Sequence, residues 1–162
     1  MKQIKLINPE KVSKEEAATY RIREAARAIV YDEEQKIALL HATKYDYYKL
    51  PGGGIEKGED PETAMKRECL EEIGCDVEVT GELGTIVEYR KKFNLKQTSY
   101  CYIGKLVGKK GVPNLMEDEA AEGFQTVWLT LEDALNKVRG SKREIYEAQY
   151  MVARDTAFLE AL

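Results

Sequence analysis

The run Pro51-Gly52-Gly53-Gly54 constrains this chain most, because it breaks regular structure just ahead of a segment with helix signals at both ends. Asp60 is suited to cap the helix, and Pro61 suits its first position. Gly74 suits the left-handed residue that commonly follows a helix. The sequence therefore predicts a glycine loop followed by a helix that ends at about Ile73.

Segments of strand-forming residues lie on both sides of this helix. Ala25–Tyr31 and Lys36–Ala42 are predicted as two strands of a hairpin, followed by a short strand at Tyr47–Leu50. The later predicted elements are strands at Val77–Val79, Gly84–Arg90, Thr98–Val107 and Phe124–Leu129, a hairpin turn at Lys91–Lys96, a short helix at Leu131–Val138 capped by Thr130, and a long amphipathic helix at Lys142–Leu162. This mixed order favours an α+β or layered α/β/α domain over a regular βαβ repeat.

The length of 162 residues indicates one domain spanning 1–162, with residues 1–20 as an added strand or a flexible lead-in. A composition that is 43% hydrophobic and 33% charged is ordinary for a soluble protein. The net charge of −4 offers no basic surface, so a nucleic acid polymer is not an expected partner. Neither a signal peptide nor an apolar run of about 18 residues is present, which predicts a cytoplasmic protein without membrane contact.

Three cysteines without a CxxC pair argue against a disulfide framework and a structural zinc site. Two of them, Cys69 and Cys75, fall where apolar residues are wanted, so we expect buried free thiols. On the predicted helix Cys69 belongs to an apolar stripe with Met65 and Ile73, and Leu70 lies at its flank.

Three glutamates, Glu68, Glu71 and Glu72, are spaced so that they lie on an adjacent side of the helix. Like charges at this spacing repel by roughly a few tenths of a kcal/mol per pair, and a hard cation such as Mg²⁺ removes that cost. Arg67 can brace the carboxylates, and Glu59 lies within its reach if the loop folds back. The alternative interpretation is a solvated acidic face without a metal.

The spacing of these residues resembles the Nudix box. Its fixed positions are matched here by Gly53, Glu59, Arg67, Glu68, Glu71, Glu72 and Gly74. The lead-in Leu50-Pro51-Gly52-Gly53 is also similar to that of the family. Cys69 and Cys75 stand where Ile, Leu or Val is usual, and a small buried thiol can do the same packing.

The resemblance implies an α/β/α sandwich on a mixed sheet and hydrolysis of a nucleoside diphosphate linked to a further group X. It implies Mg²⁺ or Mn²⁺ as cofactor, water as the attacking group, and a monomer or homodimer. It further implies Glu68, Glu71 and Glu72 as metal ligands, with one of them as a candidate for the base and with Glu59 and Arg67 in support. The backbone of Gly53 is a weaker candidate for the metal.

A further acid from a distant loop is often recruited in such enzymes, and Glu122 is the first candidate here and Glu119 the second. A solvated acidic loop is the alternative for both. Arg27 is a candidate for binding phosphates and Tyr48 for stacking on a base, although ordinary strand positions are the alternative. His41, the only histidine, is expected to be a packed or edge residue.

Among substrates, a nucleoside triphosphate, oxidised or non-standard, is favoured by elimination. The alternatives are a nucleotide sugar such as ADP-ribose and a catalytically silent nucleotide-binding module. The intact glutamates of the box argue against the silent module.

Overall fold

A computed structural model describes all residues from Met1 to Leu162. The strands are β1 Gln3–Ile7, β2 Arg21–Tyr31, β3 Ile37–Ala42, β4 Tyr47–Lys49, β5 Asp76–Arg90, β6 Leu95–Val107 and β7 Phe124–Leu129. The helices are α1 Lys14–Ala17, α2 Pro61–Ile73, α3 Glu117–Ala121, α4 Leu131–Arg139 and α5 Tyr146–Glu160, and a 3₁₀ turn covers Lys91–Phe93. None of the helices has the length and apolar composition needed to cross a bilayer.

The seven strands form one mixed sheet in the order β1-β5-β6-β2-β3-β4, with β7 paired to β3. Strand β2 runs parallel to β6 over all of its residues, and β1 runs parallel to β5. Strands β5 and β6 form a long antiparallel hairpin. Helices cover both faces of this sheet, so the predicted α/β/α sandwich with a mixed sheet is confirmed.

The alternation of β2 distributes its side chains between the two helical layers. Ala26 and Ala28 belong to the core under α2, where they pack with Met65. Ile29 points to the other face and packs in the core that contains Phe158 of α5. One strand therefore contributes to both cores, as expected for the middle of a layered domain.

The predicted hairpin of β2 and β3 forms, with an antiparallel pair of Tyr31 and Ile37 next to the turn. Asp32 makes the turn by accepting hydrogen bonds from the amides of Glu34 and Lys36. The pairing is short, because the amides of Ala26 and Ala28 bond to the glycine loop instead of to β3. The other edge of β2 pairs with β6 in parallel.

Other boundaries differ from the prediction, since β2 begins at Arg21 rather than Ala25 and β6 at Leu95 rather than Thr98. The two strands expected within 77–90 are one strand, β5, with register shifts at Val79/Gly81 and Glu82/Gly84. The C-terminal helix begins at Tyr146 rather than at Lys142, because the Lys142 amide is held by the carbonyl of Asp46 at 3.0 Å. The N-terminal lead-in supplies β1 and α1, so the alternative of an added strand is confirmed.

The three cysteines are buried and free, as expected. The apolar stripe of α2 is also buried, with Met65 and Cys69 fully covered. Leu70 differs from the prediction, since it is 51% exposed and lies on the solvent side of the helix. Its position is too far around the helix from the stripe to reach the sheet.

We expect Met65→Ala to lower the free energy of unfolding by about 2–5 kcal/mol, because it leaves a cavity between α2 and the sheet. Leu70→Ala on the same helix is the control and should change it by less than about 0.5 kcal/mol. Denaturant unfolding followed by circular dichroism measures both. Equal losses in the two variants would show that the helix does not pack as described.

Candidate active site

The glycine loop is attached to β2 along one edge. The amide of Ala26 donates to the carbonyl of Gly53 at 2.9 Å, and that of Ala28 donates to Pro51 at 3.0 Å. Gly52 has a φ of +131°, and a Cβ there would lie 2.1 Å from the carbonyl oxygen of Ala26. Only glycine therefore allows the loop to lie this close to the strand.

The helix that follows begins and ends where the sequence predicts. The Asp60 carboxylate accepts from the Thr63 amide at 3.0 Å, and Pro61 is the first helical residue. Gly74 ends the helix in the left-handed conformation. The caps hold α2 with its second and third turns beside the glycine loop.

Arg67 connects the carboxylates of the box. Its Nε and Nη2 donate to the two oxygens of Glu59, each at 3.0 Å, in a bidentate pair. Its Nη1 donates to Glu68 at 2.9 Å and to Glu71 at 3.3 Å, and Nη2 also reaches the carbonyl of Gly54 at 3.0 Å. The hydrogen bonds from Arg67 lower the pKa of Glu59.

Glu68 and Glu72 are one helical turn apart and both are buried. Burial and the neighbouring charge of Glu72 raise the pKa of Glu68. Glu72 accepts a hydrogen bond from the Gly52 amide at 2.6 Å and forms a salt bridge with Lys49 at 2.8 Å. A Cβ at Gly53 would lie 2.2 Å from a Glu68 oxygen, so the loop leaves room for this carboxylate.

Glu71 does not share the cavity of its two neighbours. It lies in a second cleft with Arg67 and Asn114, on the other side of Glu68. The three glutamates are thus divided between two clefts that meet at Glu68 and Gly54.

The main cavity has a volume of about 720 Å³ and lies between β2, the glycine loop and α5. Glu68, Glu72 and Lys49 line it. Five arginines line it as well: Arg21, Arg23, Arg27, Arg90 and Arg154. Carboxylates and guanidinium groups therefore face one open cavity, an arrangement that suits a metal-bound phosphate compound.

The two candidate acids from the distant loop both line this cavity. Glu122 accepts a hydrogen bond from the hydroxyl of Tyr47 at 2.9 Å. Glu119 accepts from the Met116 amide at 2.8 Å, and burial followed by the charge of Glu72 raises its pKa. Glu119 therefore interacts electrostatically with Glu72 of the box, while Glu122 is held by Tyr47.

The structure places Tyr48 outside the cavity, contrary to the prediction. Its ring stacks on His41 with centroids 4.1 Å apart, so His41 is a packed residue as expected. Tyr45 and Tyr47 line the cavity instead. Because side chains alternate along β4, Tyr47 and Tyr48 necessarily point to opposite sides.

Arg27 does line the cavity, and it is almost fully buried. Among the cations there that were not singled out from the sequence are Arg21, Lys49, Arg90 and Arg154. The Arg154-Asp155 pair within an otherwise apolar stretch of α5 is a signal that could have indicated a buried charged site.

The residues of the box fit a hard divalent ion in the type of their ligands. Glu68, Glu71 and Glu72 supply only oxygen atoms, and a cation would relieve the repulsion that raises the pKa of Glu68. No three acidic, histidine or cysteine side chains converge as a metal cluster as they stand. Lys49 and Arg67 neutralise these carboxylates in the structure, so an ion would have to take over part of that role.

Comparisons with known proteins agree with this geometry. The family model described as NUDIX domain matches residues 21–149. The RNA pyrophosphohydrolase of Sulfurovum sp. (strain NBC37-1) is 30% identical over 125 residues, which cover 72% of this chain and 80% of that enzyme. Diphosphoinositol polyphosphate phosphohydrolase 2 of Rattus norvegicus is 27% identical, over 76% of this chain and 65% of that protein.

Among solved structures, the MutT protein of Methanosarcina mazei Go1 superimposes with a TM-score of 0.61 at 18% identity. The superposition covers 87% of this chain and 92% of that one. At this identity the likeness concerns the fold alone.

We expect Gly52→Ala to distort the loop and lower both stability and activity, because the added Cβ meets the backbone of β2. Gly58→Ala is a matched control, since Gly58 also has a positive φ, +85°, but no atom lies within 4 Å of its Cβ position. The free energy of unfolding of the control variant should fall by only about 1–2 kcal/mol, because of backbone strain. Unfolding and activity measurements on both variants separate steric contact from strain, and equal effects would contradict the close approach.

We also expect Glu68→Gln to raise the melting temperature in metal-free buffer, by about 2–4 °C for each kcal/mol gained. The raised pKa means that the folded state disfavours the Glu68 charge, so its removal stabilises the fold at neutral pH. The gain should disappear as the pH falls below about 4.3, where the carboxyl is protonated in both states. A melting temperature that is lower than that of the unsubstituted protein at neutral pH would contradict this account.

Proposed function

This chain belongs to the Nudix family and is a hydrolase of pyrophosphate bonds; we propose that it cleaves a diphosphate linkage in a nucleoside diphosphate joined to a further group. A nucleoside triphosphate, oxidised or non-standard, is the favoured substrate. The observation that carries the proposal is the buried pair Glu68 and Glu72, which faces a cavity that arginines also line.

The proposed cofactor is Mg²⁺ or Mn²⁺, held by the oxygen atoms of Glu68, Glu71 and Glu72. When bound, the ion supplies neutralisation of the phosphate charge. The carbonyl of Gly53 is a weaker candidate ligand, since it already accepts the Ala26 amide. Glu122 and Glu119 are the candidates for the additional acid, since both line the cavity.

The protein groups have separate parts in this proposal. Arg67 and Glu59 orient Glu68 through the hydrogen bonds described above. Glu68 is a candidate for accepting a proton from the attacking water, because it lines the cavity and Arg67 orients its carboxylate. Arg27 is proposed to contact a phosphate group of the substrate.

A second candidate function is hydrolysis of another phosphate-rich compound. The relatives named above act, by their names, on RNA and on a diphosphoinositol polyphosphate. Three of the five arginines that line the cavity have no salt bridge, which favours such anionic compounds over a neutral sugar moiety as in ADP-ribose. A silent nucleotide-binding module is disfavoured by the three intact glutamates.

Glu72→Gln should lower turnover by at least about a hundredfold, because the amide cannot supply the charge that the site needs. Glu62→Gln is the control, since Glu62 lies on the same helix but is exposed and pairs with Lys66. Turnover is measured by phosphate or pyrophosphate release from a panel of damaged nucleoside triphosphates, nucleotide sugars and dinucleoside polyphosphates. Circular dichroism and melting temperature check that both variants fold.

EDTA should abolish turnover, and added Mg²⁺ or Mn²⁺ should restore it. No turnover of any panel member with either ion would refute the proposed activity. Near-normal turnover of the Glu72→Gln variant would remove Glu72 from the metal site.

A further inference from the structure

Three arginines of β2 occupy one side of the cavity. Arg21, Arg23 and Arg27 are separated by even numbers of residues, so their side chains leave the strand on the same face. All three line the cavity. We call these three residues the arginine column.

The arginine column has no carboxylate partners. Arg90 and Arg154, which line the same cavity, form salt bridges with Glu88 at 2.6 Å and with Asp155 at 2.7 Å. No salt bridge involves a member of the column. Glu88 and Asp155 are thus paired with the other two arginines, and no carboxylate lies within salt-bridge distance of the column.

Among the three arginines, Arg27 shows the lack of an acidic partner most clearly. It is 5% exposed, its Nη1 donates to the carbonyl of Ala26 at 2.9 Å, and its Nε has no hydrogen-bond partner. Burial and the charge of Arg154 lower its pKa to about 9, so it remains a cation at neutral pH. A buried guanidinium without an acidic partner is costly, and a ligand anion would supply what the protein does not.

Arg23 is held in place by buried polar groups. Its Nη1 donates to the side-chain oxygen of Gln97, and Gln97 donates in turn to Ser99 at 3.1 Å. Gln97 and Ser99 are fully buried on β6. The guanidinium is therefore oriented before any ligand arrives, which reduces the entropy lost on binding.

The column begins directly beside the carboxylates of the box. A Cβ at Gly54 would lie 3.2 Å from Nη2 of Arg23, and one at Gly53 would lie 2.2 Å from a Glu68 oxygen. Gly54 thus lies beside Arg23 and Gly53 lies beside Glu68. The Cα atoms of two neighbouring residues are about 3.8 Å apart. A ligand bound at Glu68 could reach Arg23 through the next phosphate of a chain.

We propose that the arginine column binds a phosphate group additional to the diphosphate that is cleaved, so that the preferred substrates carry at least three phosphates. This inference rests on the proposed function for the position of the cleaved bond. Guanidinium groups suit phosphate because they offer paired donors in a fixed plane. The additional phosphate can continue the polyphosphate chain or be an ester on the sugar.

The test compares adenosine compounds that differ in phosphate content: ADP-ribose, ATP, adenosine 5′-tetraphosphate and ADP-ribose with a 2′-phosphate. The unsubstituted enzyme should show a kcat/KM at least about tenfold higher for compounds with an additional phosphate than for ADP-ribose. A preference for the tetraphosphate identifies a chain phosphate, and one for the 2′-phosphate identifies a sugar ester. Equal kcat/KM across the series would overturn the proposal.

Arg23→Gln should raise the KM for the favoured compound by about tenfold or more, with a smaller change in kcat. Arg139→Gln is the matched control, because Arg139 is exposed and pairs with Glu160 away from the cavity. Arg21→Gln provides a second variant at the exposed end of the column, in case Arg23→Gln lowers the melting temperature. An unchanged KM in both column variants would overturn the proposal.

Binding of inorganic tripolyphosphate and pyrophosphate in EDTA, measured by calorimetry, is independent of turnover. Tripolyphosphate should bind more tightly than pyrophosphate, and Arg23→Gln should remove the difference. If this holds while no nucleotide is cleaved, the phosphate subsite stands and the proposed function fails. If nucleotides are cleaved but tripolyphosphate shows no preference that depends on Arg23, the subsite fails and the proposed function stands.

Discussion

The site depends on the hydrogen bonds between β2 and the loop Pro51–Gly54. The amides of Ala26 and Ala28 donate hydrogen bonds to the loop as they would to a neighbouring strand. Because the loop leads into α2, these bonds position the helix carboxylates against β2, and because β2 carries arginines on one face, they also position the cations. Gly52 makes the contact possible, since a side chain there would enter the backbone of the strand.

The consequence is a cavity in which groups of like charge lie near one another. Burial and the charge of Glu72 raise the pKa of Glu68, while burial, Arg90 and Arg154 lower the pKa of Arg23. Lys49 and Arg67 offset only part of the cost of the buried carboxylates. The fold therefore gives up stability at the place where ligand binding is proposed, a common compromise in enzymes. A metal ion would relieve the repulsion among the carboxylates, and a phosphate chain would relieve that among the arginines.

Local features were predictable from the sequence because their causes are local. The caps of α2 and the buried stripe through Met65 follow from spacing along one helix. The turn between β2 and β3 was predicted, but the parallel pairing of β2 with β6 was not, because a parallel partner far along the chain is not visible in the sequence. The start of α5 was missed for the same reason, since a distant carbonyl holds Lys142 out of the helix.

The arginine column could not be predicted as a binding site from the sequence. The alternation of Arg23 and Arg27 is visible in the sequence, and on a strand facing water it would mean little. What makes it a site is its surroundings: Gln97 on β6 orients Arg23, and Arg154 on α5 comes with its own acidic partner. Those residues are far from β2 in sequence. Their arrangement leaves the arginines of β2 without an acidic partner. A substrate preference carried by unmatched charge can therefore be inferred only once every salt bridge around the cavity is known.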